Sequence, residues 1–170
     1  MMMASARHTV VALMQDHPGV LNRVASMFRR RVFNIESLTV GHTDQLGISR
    51  MTIVLDGATT DVNQVILQLN KLIEVIKVHE ITNEPSISHE LALIKVTATG
   101  ATRAEVLQIA GVFHASVVDV AADSVMVQVA GSGENVDSLV ELLRTYGIRE
   151  MVRTGAVAMT RGSSSLVVDS

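Results

Sequence analysis

The order of strand-like and helix-like stretches runs through the same cycle twice, and few folds accommodate that. Residues 8–14 form a continuous apolar run, the pattern of a strand buried on both faces. A helix opens at Val20, with Leu21, Val24, Ala25, Phe28 and Val32 spaced as one apolar stripe. Residues 34–43 and 47–56 read as two strands around the turn Asp44-Gln45-Leu46-Gly47. In the second, Arg50, Thr52 and Val54 alternate with Met51, Ile53 and Leu55, which predicts a half-polar face. Asp61 is placed to cap a second helix carrying Val62, Val65, Ile66, Leu69, Leu72 and Ile73, and residues 75–81 supply a fourth strand. The order β-α-β-β-α-β is that of a ferredoxin-like unit.

The polar stretch Thr82-Asn83-Glu84-Pro85-Ser86 holds one of only two prolines, and the cycle restarts beyond it. Residues 91–99 read as a strand. Thr102 stands before a helix with Val106, Ile109, Ala110 and Phe113 inward. Residues 117–121 and 125–130 read as short strands. Gly131-Ser132-Gly133 leads into a helix with Val136, Leu139, Val140 and Leu143, and residues 151–159 read as a last strand. The expected organisation is α+β, with two consecutive ferredoxin-like βαββαβ domains at 1–82 and 87–162. Residues 83–86 join them, and a Ser-rich, poorly ordered tail follows at 163–170.

Composition narrows the class. Hydrophobic residues make up 48% of the 170 and aromatics 2%, so the cores are aliphatic. A net charge of −3 offers no field for nucleic acid, and the near absence of aromatics removes a base-stacking surface. With no cysteine there are no disulfides, thiol chemistry or Cys-based metal sites. No apolar run reaches the roughly 18 residues of a membrane span, and the first seven residues lack the apolar core of a signal peptide. The reading is a cytoplasmic protein without membrane or nucleic-acid partners.

Catalytic constellations are missing. His8, His17, His42, His79, His89 and His114 show none of the close spacings that put two metal ligands on one helix face or strand. Gly131-Ser132-Gly133 starts like a dinucleotide fingerprint but lacks the third glycine. Arg29-Arg30-Arg31 reads as cations neutralising a helix C-terminus. The stretch with binding chemistry is Asp16-His17-Pro18-Gly19, which feeds the helix at Val20. Free backbone N–H groups and the positive end of the helix dipole suit a carboxylate or phosphate there. Each residue has a plainer role as well. Gly19 eases a turn, Asp16 caps a helix, Asn34 serves the turn after the helix, and Arg50 faces solvent.

Four stretches carry a resemblance. Asp16-His-Pro-Gly-Val-Leu-Asn-Arg-Val24, Phe33-Asn-Ile-Glu-Ser-Leu-Thr-Val40, Ser49-Arg-Met-Thr-Ile53 and the run from Gly147 to Gly162, with its Arg153-Thr-Gly155 and Arg161-Gly162, occur in order over nearly the whole chain. Together they resemble the small, regulatory subunits of acetolactate synthase, whose first half is an ACT domain. The resemblance implies a homodimer formed through the ACT domains. It implies a separate large catalytic subunit that carries thiamine diphosphate, Mg²⁺ and FAD, none of which this chain would bind. It also implies activation of that subunit and feedback inhibition by valine in branched-chain amino-acid synthesis.

Carried over residue by residue, the effector site would use Asp16, Pro18, Gly19, Val20 and Leu21 from one chain, and Asn34 and Ile35 from its partner. The N–H groups of Val20 and Leu21 would hold the valine carboxylate, while Asp16 and Asn34 would take the ammonium. Family members usually carry Asn at the position of Asp16. The alternative is a free-standing ACT-type sensor regulating another enzyme or transcription, although no helix-turn-helix pattern flanks the two domains.

Overall fold

A computed structural model describes residues 7–168. Residues 1–6 and 169–170, which belong to the expected first domain and tail, lie outside it. The chain divides into two units. One holds the residues up to Ile87 and those from Ala156 onward; the other is Ser88–Gly155. Among the described residues no helix is long and apolar enough to cross a membrane.

In the first unit the elements are β1 (Arg7–Gln15), α1 (Val20–Arg31), β2 (Ile35–His42), β3 (Ile48–Asp56), α2 (Val62–Leu69) and β4 (Val75–Glu80). The strands form an antiparallel sheet in the order β2-β3-β1-β4. The chain from Ser86 continues as β5 (Ser86–Thr97), α3 (Arg103–Val112), β6 (Ser116–Val120), β7 (Ser124–Gly131), α4 (Gly133–Arg144) and β8 (Ile148–Arg153). Their order, β6-β7-β5-β8, repeats that of the first unit. The last strand, β9 (Val157–Thr160), is separate from β8, so the single strand expected over 151–159 is two. The interruption falls where the chain passes from the second unit to the first.

Central strand β1 explains its own composition. Val10, Ala12 and Met14 point into a core with Val24, Phe28, Met51, Ile53, Val65 and Leu69. The alternate residue Val11 packs on the other face with Ile81, Ala158 and Leu166. Both faces are covered, one by helices and one by the C-terminal segment. Thr52 and Val54 are accordingly buried rather than forming a half-polar face. Arg50, expected in solvent, donates from Nη2 to Ala158 O at 2.8 Å. The tail was expected to be loose, yet Leu166 packs on the sheet and Gln45 exchanges hydrogen bonds with the backbone of Val168. In the second unit Ala92, Ile94, Val96, Val127, Val136, Leu139 and Leu143 build an equivalent core.

Helix α1 corrects the expected stripe. Its inward residues are Val20, Val24, Met27 and Phe28, whereas Leu21, Ala25 and Val32 face outward. The helix starts one residue after Gly19, and the face at i, i+4, i+7 and i+8 from Val20 excludes Leu21, which lies about 100° further round. Val32 does not continue the helix. It takes a left-handed conformation with φ 56° and closes the helix. The N–H of Val32 donates to Arg29 O and that of Phe33 to Phe28 O, with the Phe28 and Phe33 rings edge-on at 6.0 Å. That is a Schellman ending with its apolar contact. His114, at φ 53°, ends α3 in the same way through His114 N–Gly111 O and Ala115 N–Ala110 O. Caps elsewhere follow the residue types. Asp61 accepts from Asn63 N and Ser132 from Asn135 N, whereas Thr102 makes no side-chain bond to its helix.

A β-branched residue in a left-handed well costs about 1–2 kcal/mol. Val32 is 86% exposed and contributes nothing to the core. Val32→Gly is therefore expected to raise stability by about 1 kcal/mol. Chemical denaturation of the two proteins at matched concentration measures it, and a lower midpoint for the variant would refute the strain.

Candidate functional site

The turn after β1 is held from both sides by main-chain bonds. Gln15 N–H donates to Glu74 O at 2.9 Å and Asp16 N–H to Gly47 O at 2.8 Å. The chain end of β1 is thereby tied to the entries of β4 and β3. Gly19 follows with φ 95°, a left-handed conformation natural to glycine, and a Cβ there would meet nothing within 4 Å. The space over the helix start is open. No side chain caps α1, and its first turn contains no acidic residue. The Val20 N–H makes a 3.4 Å bond to His17 O, while the Arg23 N–H is the first to reach back into the helix, to Gly19 O. The N–H groups between them stand at the helix start without an intrahelical acceptor, as the geometry of any α-helix requires. A small carboxylate could be received there.

The side chains around the turn are paired. Asp16 Oδ2 lies 2.8 Å from His42 Nδ1, which brings the end of β2 to the turn. His17 faces Pro18 O through Nδ1 and Gln15 Oε1 through Nε2. Arg23 Nη1 meets Glu74 Oε1 at 2.6 Å, and the Glu74 side chain is only 6% exposed. His42, Arg23 and Glu74 were not legible as site residues. Each is far in sequence from its partner, and no spacing rule relates them. Of the two residues whose N–H groups were expected to hold a carboxylate, Val20 has a buried side chain and Leu21 an exposed one.

Asn34 and Ile35 lie elsewhere in the same chain. Asn34 N–H donates to Thr60 Oγ1 at 3.1 Å, and Ile35 pairs with Leu55, near the Arg7–Asp56 end of the sheet. His42, which pairs with Ser49, is at the opposite end of β2. With about 3.3 Å of rise per residue, the eight residues of β2 separate the two groups by about 23 Å. One chain therefore brings together Asp16, Pro18, Gly19, Val20 and Leu21, but not Asn34 and Ile35. Strand β2 is at the edge of its sheet, and its Leu38 and Val40 are partly exposed. No cluster of His, Asp and Glu that could hold a metal occurs among the described residues.

The Arg23–Glu74 pair joins the first turn of α1 to the residue whose carbonyl anchors β1. Glu74→Ala removes the acceptor and leaves Arg23 unpaired beside the turn. The expected loss is about 1–3 kcal/mol in a denaturant titration. A change below a few tenths of a kcal/mol would mean that the pair holds nothing in place.

Residues 11–77 match the family described as AHAS small subunit-like ACT domain, and residues 89–162 match that described as small subunit of acetolactate synthase. The probable acetolactate synthase small subunit of Archaeoglobus fulgidus is 52% identical over 92% of this chain and 98% of its own length. The acetolactate synthase small subunit of Bacillus subtilis is 49% identical over 87% of each. The crystal structure of the small subunit from Thermotoga maritima superposes with a TM-score of 0.86 at 34% identity, covering 93% of this chain and 99% of that one. On the identity and coverage of these relatives, the chain belongs to the family of acetolactate synthase small subunits.

Proposed function

We propose that this chain is the regulatory subunit that activates a separate catalytic subunit of acetolactate synthase and makes it sensitive to valine. The condensation of 2-oxo acids, and the thiamine diphosphate, Mg²⁺ and FAD that serve it, belong to the catalytic subunit. This chain acts in the cytoplasm as a homodimer through its ACT domains.

One observation carries the reading. The uncapped helix start and the Asn34–Ile35 pair stand at opposite ends of an edge strand. Two β2 edges laid side by side in antiparallel fashion would bring Asn34 of one copy to the Asp16 turn of the other. That arrangement satisfies the unpaired edge and completes the site in one step. Valine would then place its carboxylate on the unpaired Leu21 N–H and on that of Val20, which would turn to it from its 3.4 Å contact with His17 O. Its ammonium would lie between Asp16 and the partner's Asn34, and its isopropyl group against Leu21 and the partner's Ile35. The His42 contact, which already engages Asp16, fixes the carboxylate for that role. Valine shifts the holoenzyme between active and inhibited arrangements by binding one of them more tightly. A tenfold preference is worth about 1.4 kcal/mol per site.

Gly19→Asp puts a carboxylate in the open space over the helix start and strains a left-handed position. In a reconstitution with the catalytic subunit, activation is expected to survive and valine inhibition to be lost. Inhibition equal to that of the parent chain would overturn the site. Failure of the parent chain to activate the catalytic subunit would overturn the function.

A further inference from the structure

The C-terminal segment does more than cover the sheet. Between it and the face of the sheet opposite the helices lies a cavity of about 280 Å³ lined by Arg50, Lys77, His79, Glu84, Thr160 and Ser164 among others. Its polar groups are unevenly satisfied. Glu84 Oε1 is engaged by His79 Nε2 at 2.6 Å. The two stronger cations have only neutral partners: Arg50 Nη2 donates to Ala158 O at 2.8 Å and Lys77 Nζ to Val167 O at 3.3 Å. Neither is in an ion pair with a described residue. Burial also pulls the Arg50 guanidinium below its ordinary pKa. Arginine keeps its charge under such desolvation, so the charge stays and calls for an anion.

A guanidinium with donors to spare, an ammonium and several hydroxyl groups on one wall match the chemistry of an oxyanion. Each water of the liquid takes about 30 Å³, so the cavity holds a phosphate ion or a short carboxylate together with a few waters. We propose that this cavity is a binding site for a small oxyanion, a phosphate or a carboxylate, held by Arg50 and Lys77 with hydroxyl groups of the C-terminal segment. It is distinct from the turn at Asp16 and stands whether or not valine binds there.

The test is calorimetric titration of the full chain in a chloride buffer of constant ionic strength, with inorganic phosphate in one arm and acetate in the other. Saturable binding of either anion near one site per chain is expected, and the arm that saturates identifies the source. Affinity should fall about tenfold or more in Arg50→Gln and in Ser165→Asp, which sets a negative charge on the cavity wall. Ser165 is exposed and also lines the cavity, so its variant tests the site if the Arg50 variant is poorly folded. Thermal unfolding of each variant establishes that it is folded. Absence of saturable binding in both arms, or equal affinity in folded variants, would overturn the assignment.

Discussion

Everything in the first unit depends on β1 being buried on both faces. A strand of Val10, Val11, Ala12, Leu13 and Met14, each 2% exposed or less, cannot face water on either side without losing about 1.5–3 kcal/mol for each large apolar side chain. Helices α1 and α2 cover one face. The other needs a second layer, which comes from the end of the chain through Ala158 and Leu166. The same requirement buries Thr52 and Val54 of β3 and draws Arg50 onto Ala158 O. The C-terminal segment is thus a structural part of the unit with which the chain begins.

Once β1 is fixed, the turn that follows has little freedom. The Gln15 and Asp16 amides are tied to Glu74 and Gly47, so the direction of the chain on leaving the sheet is set on two sides. Gly19 then makes the left-handed step that starts α1, and Arg23 returns to Glu74. The helix start is open because its surroundings are occupied with one another: Asp16 with His42, His17 with Gln15, Arg23 with Glu74. No charged side chain competes for the N–H groups at the start of α1. An uncapped helix end leaves main-chain N–H groups available to a small anion.

The two units repeat one plan with different residues. Strand order is the same, and the first helix of each ends in a Schellman closure on a non-glycine residue, Val32 or His114. The pairing irregularities also correspond, with a shift between Leu13 and Met14 in β1 and between Lys95 and Val96 in β5. Two sequences that scarcely align thus reach the same backbone. What they share is the apolar patterning of their strands and helices and a polar cap on the second helix of each, Asp61 or Ser132, and these suffice for a small antiparallel sheet under two helices.

Local signals in the sequence determined the element order as far as α4, the capping of α2 by Asp61, the inward face of α4 and the position of the turn; of the stripe expected for α2, Val62, Val65 and Leu69 are buried, whereas Ile73 lies beyond the end of the helix and is exposed. Periodicity and caps act over a few residues, so they are visible without the fold. Tertiary structure decided what depends on distant partners. The face α1 buries was set by where Gly19 begins the helix and by packing on the sheet, which turned Leu21 and Val32 outward. The burial of Thr52, the pairing of Arg23 with Glu74, the contact of Asp16 with His42 and the return of residues 156–168 to the first unit each join segments far apart in the chain. Such pairings obey no spacing rule, because they are fixed only when the sheet brings its strands into register. The turn and the helix start that follows it were therefore legible in the sequence, whereas the side chains that hold them in place became visible only in the fold.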